Sequence, residues 1–225
     1  KTRAQERSVG SGTYSLEAIR GNQAGREFYV AMCSFKMISK IFIFNDQFVP
    51  AQMRAQRILR DTRIPALKNY IINNPKDYTL SSLTASVDGT MKFFPTPGAG
   101  EEANTGNLII DIDATFLIND GQHRRRAIEQ ALKENPDLAH EMISVVFFRD
   151  KGLKRSQQMF ADLNRYSIRP SASLGILYDH RDEMSFVAKS VIERVPVFND
   201  LCELEKGTIS NRSIKLFTLS GVFSA

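Results

Sequence analysis

Residues 114–132 read ATFLINDGQHRRRAIEQAL, and this stretch decides the fold. Its first part, residues 114–118, is a short apolar run of the kind that forms strands. Its last part, residues 127–132, spaces apolar side chains three and four positions apart, which is the period of an amphipathic helix. The stretch therefore predicts a strand, a tight turn and a helix, with the polar residues 120–125 at the junction.

The predicted junction is suited to phosphate, whether of a nucleotide or of a nucleic acid. A helix start presents backbone N–H groups without partners and carries a partial positive charge. Gly121 permits close approach to the backbone, and His123 and Arg124 add donors and charge in the first turn. The competing interpretation is structural: Asp120 caps the helix and the arginines only solvate it.

Helical spacing separates the charged residues of the first turns. His123 and Arg124 lie four residues before apolar positions such as Ile128, so both extend the inward-facing stripe. Arg125 and Arg126 fall on more polar sides. The helix phase therefore predicts that Arg124 belongs to a pocket and that Arg125 and Arg126 lie on the surface.

Length and composition indicate an ordinary globular protein. A chain of 225 residues suits one large or two small domains, and 42% hydrophobic residues are enough for a core. The sequence has no apolar run near the ~20 residues of a membrane helix and no signal-peptide pattern, so no membrane partner is expected. Two distant cysteines, Cys33 and Cys202, make a reducing cytoplasm the default. The histidines show no ligand spacing, and no metal site is predicted.

The positive charge of the chain favours an anionic partner. The formal net charge is +5 and the isoelectric point is near 9.2. Basic residues recur along the chain, and convergence on one face would form a phosphate-binding surface, whereas scattered positions would only be solvated. The residues predicted to contact DNA are Arg125, Arg126, Arg149, Lys151, Lys154, Arg155 and Arg165. Further basic positions are Arg54, Arg57, Arg60, Arg63 and Arg169.

Local patterns predict three regions. Residues 1–27 are polar and glycine-rich and are predicted to be a mobile N-terminal arm. Residues 28–170 alternate short strands and helices and predict an α/β (α+β) core with a small mixed sheet. Residues 171–225 predict a helical C-terminal portion, and its apolar end suggests that the natural domain continues further. Predicted strands are 28–44 (one or two), 78–87, 108–113, 115–118 and 143–148; predicted helices include 51–60 and 66–73.

The string DGQHR, residues 120–124, resembles the motif that names the DGQHR-domain proteins. Residues 52–89 and 158–182 extend the likeness to the DndB-like proteins of bacterial DNA phosphorothioation systems, and the resemblance runs from Phe28 to the C-terminus. It implies a fold related to ParB and sulfiredoxin, in which a comparable turn holds nucleotide phosphates. It also implies a role in DNA sulfur modification, mainly as a DNA-binding transcriptional repressor of the modification genes.

The resemblance also extends the candidate site. A recurrent family pattern matches Phe160, Leu163 and Asn164 and implies that Asn164 lies near the motif. The working pocket is therefore Asp120, Gly121, Gln122, His123, Arg124 and Asn164. In it, Asp120 could hold His123 or Arg124 or assist a metal-bound nucleotide, and the Gln122 amide has the donor and acceptor groups needed to read a base edge.

Three function classes stay open at this point. The first is a non-enzymatic DNA-binding regulator whose partner is the promoter of the modification genes. The second is a nucleotide-binding switch of the ParB-like type, with a nucleoside triphosphate and Mg²⁺ as cofactor and with NTPase or nuclease-like activity at the turn. The third is a non-catalytic adaptor for other DNA sulfur modification proteins. The oligomeric state is open, and a homo-oligomer is one outcome.

Overall fold

The computed structural model describes residues 12–42, 63–98, 100, 102–165 and 170–225. The chain divides into two compact units, residues 1–166 and residues 167–225. The predicted helix 51–60 lies outside the described residues.

The first unit is built on a seven-stranded mixed sheet, which confirms the predicted α/β class. The strands are β1 (Thr13–Gln23), β2 (Arg26–Ser34), β3 (Leu83–Asp88), β4 (Met91–Pro95), β5 (Thr105–Asp111), β6 (Thr115–Asp120) and β7 (Met142–Arg149). The strand order is β4-β5-β1-β2-β7-β3-β6. Strands β3 and β7 are parallel, and the other neighbouring pairs are antiparallel.

This sheet is strongly curled. Strands β3 and β4 stand five strand spacings apart in the order, about 24 Å in a flat sheet. Only residues 89–90 join them, and that link spans at most about 11 Å. The two ends of the sheet therefore approach each other, and two contacts show it. The rings of Tyr14 on β1 and Phe116 on β6 have centroids 6.1 Å apart, and Arg149 Nη2 on β7 donates to the Met91 carbonyl on β4 at 2.6 Å.

Curling gives the sheet an inner and an outer face. Inward positions alternate along each strand and form one core with the helices, for example Leu16, Ala31, Val145 and Ile118. Helices α1 (Phe35–Ile41), α2 (Arg63–Asn73) and α3 (Gln122–Glu134) pack on this inner side. Helix α4 (Leu153–Arg165) lies on the outer side, where Met159 meets the outward residue Asn119 of β6.

Two predicted boundaries are wrong in this unit. The predicted N-terminal arm, residues 1–27, contains β1 and the start of β2. The outward-facing residues of β1 are mainly polar, so the sequence pattern did not indicate a strand. The inward-facing residues Leu16 and Ala18 are both buried in the core. The predicted strand region 28–44 ends at Ser34, whose hydroxyl caps helix α1 by accepting from the Met37 N–H at 3.2 Å.

The second unit is mainly helical, as predicted, with a small strand pair added. Its helices are α5 (Ala172–Tyr178), α6 (Glu183–Arg194) and α7 (Leu219–Ser224), and β8 (Cys202–Glu203) pairs in parallel with β9 (Phe217–Thr218). Its small core is formed by Ala188, Cys202 and Leu219.

Candidate functional site

The predicted strand–turn–helix junction is confirmed. Strand β6 ends at Asp120, Gly121 follows with a left-handed φ of 96°, and α3 begins at Gln122. Gly121 occupies the N-cap position and offers no side chain to the first N–H groups of α3. The Asp120 side chain does not cap the helix either, since its carboxylate is bound by Arg124.

The packing around position 121 requires a glycine there. A Cβ at this position would overlap the Leu83 side chain and would lie 3.0 Å from Arg124 Nη2. The space beside Gly121 that a glycine leaves open is therefore occupied by the Leu83 side chain and by the Arg124 guanidinium.

Arg124 joins three chain segments. Its Nη2 donates to Asp120 Oδ2 at 2.7 Å and to the Ser82 carbonyl at 3.1 Å. The Ser82 hydroxyl lies 2.6 Å from the Ser144 hydroxyl at the start of β7. The prediction that Arg124 turns inward is confirmed, and Asp120, one of the partners expected for it, is the carboxylate that neutralises it.

The amide of Gln122, which was expected to read a base edge, is engaged within the protein, and base reading stays a prediction. Gln122 is buried, and its Nε2 donates to the Ile118 carbonyl of the preceding strand at 3.2 Å. The amide thereby bridges the turn between β6 and α3.

His123 has a polar atom at the turn that makes no hydrogen bond within the described part of the chain. Its Nε2 is buried and has no hydrogen-bond partner among the described residues. Burial lowers the pKa of His123, the nearby charges of Arg63 and Arg124 lower it further, and Asp120 partly opposes them. Arg63, the first residue of α2, was assigned no role at the turn by the sequence reasoning. The structure thus gives a neutral imidazole beside two guanidinium groups.

The prediction that Arg125 lies on the surface is wrong, and its predicted contact with DNA stays a prediction. Arg125 is 5% exposed, and its Nη1 lies 2.8 Å from Glu129 Oε2. Helices α1 and α2 both pack with α3, so the buried arc of α3 is wider than its apolar stripe. Arg126 is more exposed and lies 3.7 Å from the same Glu129 carboxylate, in agreement with its predicted surface position.

Four of the other predicted DNA contacts, Arg149, Lys151, Lys154 and Arg155, follow β7 at the end of the sheet opposite the turn. Along β3, Thr84 pairs with Asp120 of β6, whereas Val87 pairs with Arg149 of β7. Thr84 and Val87 are about 10 Å apart along β3, and the chain continues beyond Arg149. Lys151, Lys154 and Arg155 follow there and are exposed. These four basic residues therefore lie away from the turn, whereas Arg63 lies close to His123; Arg54, Arg57, Arg60 and Arg169 lie outside the described residues.

Comparison with known families identifies the chain. The family model DndB, described as DNA-sulfur modification-associated, matches residues 16–225. The chain belongs to the DndB family. Membership places it among proteins of DNA sulfur modification systems. Comparison with curated proteins and with solved structures gave no significant match, so the implied relationship to ParB and sulfiredoxin stays a prediction.

The DndB-family pattern around Asn164 falls on helix α4. The side chains of Asn164 and Arg165 lie outside the described part of the chain, and their predicted roles stay predictions. Nearer the turn, sequence reasoning missed Asn119. It is fully buried, its Nδ2 donates to Ser86 Oγ at 2.6 Å and to Met159 Sδ at 3.3 Å, and its Oδ1 has no partner among the described residues. The sequence did contain a signal for Asn119, because it is a polar amide side chain inside an apolar strand.

Three further findings limit the chemistry. Burial raises the pKa of the Cys33 thiol to about 12, and Cys33 packs in the core. Among the described residues, no group of three His, Cys, Asp or Glu side chains is placed to hold a metal ion. None of the described helices is long and apolar enough to span a membrane.

Proposed function

We propose that this DndB-family protein is a DNA-binding regulator, a transcriptional repressor of the modification genes. The supporting observation is the basic end of the first unit, defined here as Arg149, Lys151, Lys154 and Arg155. The last three are exposed and lie between the end of β7 and the first turn of α4.

The carboxylate nearest these cations in sequence is already engaged. Asp150 Oδ1 accepts from the Gly152 N–H at 2.8 Å and from the Ser156 hydroxyl at 2.9 Å. Asp150 thereby fixes the start of α4, and no ion pair within the described part of the chain involves Lys151, Lys154 or Arg155. Exposed cations on a fixed helix start are suited to the phosphates of duplex DNA, which supply sequence-independent affinity and release counterions on binding.

The test is the salt dependence of binding to a promoter duplex. The variant Lys151→Ala/Lys154→Ala/Arg155→Ala should weaken binding to all duplexes alike. It should also flatten the slope of log K against log salt by up to about one for each cation removed. Lys133→Ala is a matched control, because Lys133 is an exposed lysine of α3 that pairs with Glu129 at 3.4 Å. Unchanged affinity and slope in the triple variant would remove the basic end from the interface.

A repressor must also act on its promoter. A reporter driven by the promoter of the modification genes should be silenced by the wild-type protein and released by the triple variant. If the wild-type protein binds no duplex and leaves the reporter unchanged, the adaptor role becomes the better explanation. Binding to other modification proteins would then be measured directly.

The turn favours nucleotide binding as a second candidate function. His123 Nε2 is buried without a partner, Arg63 and Arg124 lie nearby, and the first N–H groups of α3 have no side-chain cap. These groups fit the phosphates of a nucleoside triphosphate, and bound Mg²⁺ would neutralise part of the phosphate charge. Thermal unfolding with ATP, GTP or CTP, with and without Mg²⁺, tests this. A stabilisation present in the wild type and lost in His123→Gln supports it, and no shift with any nucleotide opposes it.

A further inference from the structure

Two aromatic side chains are paired on the outer face of the sheet beside the basic end. Phe28 of β2 and Phe148 of β7 are register partners, and their rings are stacked with centroids 5.7 Å apart and an interplanar angle of 30°. Both are half-buried. Phe148 lies one residue before Arg149, at the end of β7 from which the chain continues to Lys151, Lys154 and Arg155.

Gly21 determines how the Phe28 ring lies. Gly21 of β1 is the register partner of Phe28, and a Cβ on Gly21 would fall within the Phe28 ring. The ring therefore extends toward β1 and its tip covers the glycine, while the residue stays half-buried on the outer face. A flat ring on a strand surface presents the kind of π-face on which nucleobases stack.

Arg26 adds a cation to the pair. Its Cζ lies 6.0 Å from the centroid of the Phe148 ring, and its Nε is buried without a hydrogen-bond partner among the described residues. The neighbouring acid Glu27 turns to the inner face, where it accepts from the Tyr29 hydroxyl at 2.9 Å. The outward-facing acid Glu17 lies four residues before Gly21 on β1, about 13 Å along the strand. Two acids lie nearer, Asp88 at the end of β3 and Asp150 two residues after Phe148, and the cations Arg26, Lys151, Lys154 and Arg155 outnumber them.

We propose that Phe28 and Phe148 form a stacking platform for the bases of single-stranded DNA, with Arg26 and the basic end holding its phosphates. The proposal rests on the DNA binding proposed above and extends the same surface. Duplex DNA keeps its bases stacked on each other, so flat rings add nothing to its binding. A single strand presents free base faces, and each base stacked on an aromatic side chain raises affinity by about tenfold.

The competing explanation is that the rings only stabilise the β2–β7 pair. The variant Phe28→Leu/Phe148→Leu keeps apolar bulk at both positions and removes the π-faces. Its melting temperature and its binding to a labelled oligothymidylate and to a duplex are measured by anisotropy at one salt concentration. Phe94→Leu is the matched control, because Phe94 lies exposed on the outer face of the edge strand β4.

The expected result is a loss of single-strand affinity of about tenfold or more, with duplex affinity within about twofold of wild type. Phe94→Leu should match the wild type on both. Equal single-strand affinity in the double variant, or equal losses on both nucleic acids, overturns the platform. A wild-type protein that binds duplex but not the single strand overturns the platform alone. A wild-type protein that binds neither overturns the proposed DNA binding as well.

Discussion

Arg124 and Asp120 neutralise each other across the junction of β6 and α3, with Arg124 Nη2 at 2.7 Å from Asp120 Oδ2. The Arg124 side chain is 21% exposed and that of Asp120 is 44% exposed, so the pair is open to water on one side. An anion that uses Arg124 must compete with this carboxylate. The main role of Arg124 in the structure is to link the end of β6, the start of α3 and the Ser82 carbonyl through hydrogen bonds.

Replacing Arg124 should therefore cost stability. Arg124→Ala leaves Asp120 without its cation and the Ser82 carbonyl without a donor. We expect the free energy of unfolding to fall by about 1–3 kcal/mol. Arg126→Ala is the control. The Arg126 side chain is 42% exposed and its ion pair with Glu129 is long, at 3.7 Å, so a change in the free energy of unfolding of about 0.5 kcal/mol or less is expected. Urea unfolding measures both, and equal losses would contradict the role assigned to Arg124.

Arg125 should matter for folding and not for DNA. Its guanidinium is buried and shares Glu129 with Arg126 and Lys133. We expect Arg125→Ala to lower the free energy of unfolding by about 2–4 kcal/mol through lost packing and a lost buried ion pair. Arg125→Met, which refills the volume, should lose less. The salt slope of DNA binding should stay at the wild-type value in Arg125→Met, and a flatter slope would return Arg125 to the interface.

The junction could be predicted from sequence because the apolar pattern of a strand changes there to the 3.6-residue period of a helix. The apolar run of β6, the glycine and the apolar spacing of α3 each point to the same turn, and the inward direction of Arg124 follows from helical geometry. The burial of Arg125 could not be predicted in this way. It depends on α1 and α2, which come from residues far earlier in the chain and widen the covered arc of α3.

The sheet shows the same limit. Strand β1 has only two fully buried apolar residues, Leu16 and Ala18, and its polar outward residues made it look like an arm. Its position between β5 and β2 is set by long-range pairing. The separation of the basic end from the turn also follows from topology, since it requires knowing that β3 pairs in parallel with β7 and antiparallel with β6.

Cys33 should be unreactive in the folded protein. Burial raises the pKa of its thiol to about 12, so almost none of it is thiolate at pH 8. We expect no alkylation of Cys33 by iodoacetamide under native conditions and complete alkylation in urea, with peptide mass spectrometry identifying the modified site. Rapid native labelling of Cys33 would show that the β2 core opens readily and would argue against the packing described.

Gly121 should tolerate no side chain. An alanine there meets a φ of 96° and the Leu83 side chain, so we expect a loss of about 2–4 kcal/mol. Gly152→Ala separates the two causes, because Gly152 has a φ of 99° and no described atom within 4 Å of its built Cβ. That control should lose only the backbone cost, about 1–2 kcal/mol. Similar losses in both variants would mean that the contact with Leu83 relaxes freely.

His123 should make stability depend on pH. Burial, then Arg63 and Arg124, hold its pKa below the ordinary value of 6.5, so the unfolded chain binds a proton more readily than the folded one. The stability that comes from the neutral imidazole is complete above about pH 6.5 and is lost as the pH falls through the folded-state pKa. We expect the free energy of unfolding to decline from pH 7.5 to pH 5.5 in the wild type and to decline less in His123→Gln. His180→Gln, which alters an exposed histidine of the second unit, should keep the wild-type decline. A wild-type decline in His123→Gln would assign the pH dependence to another group.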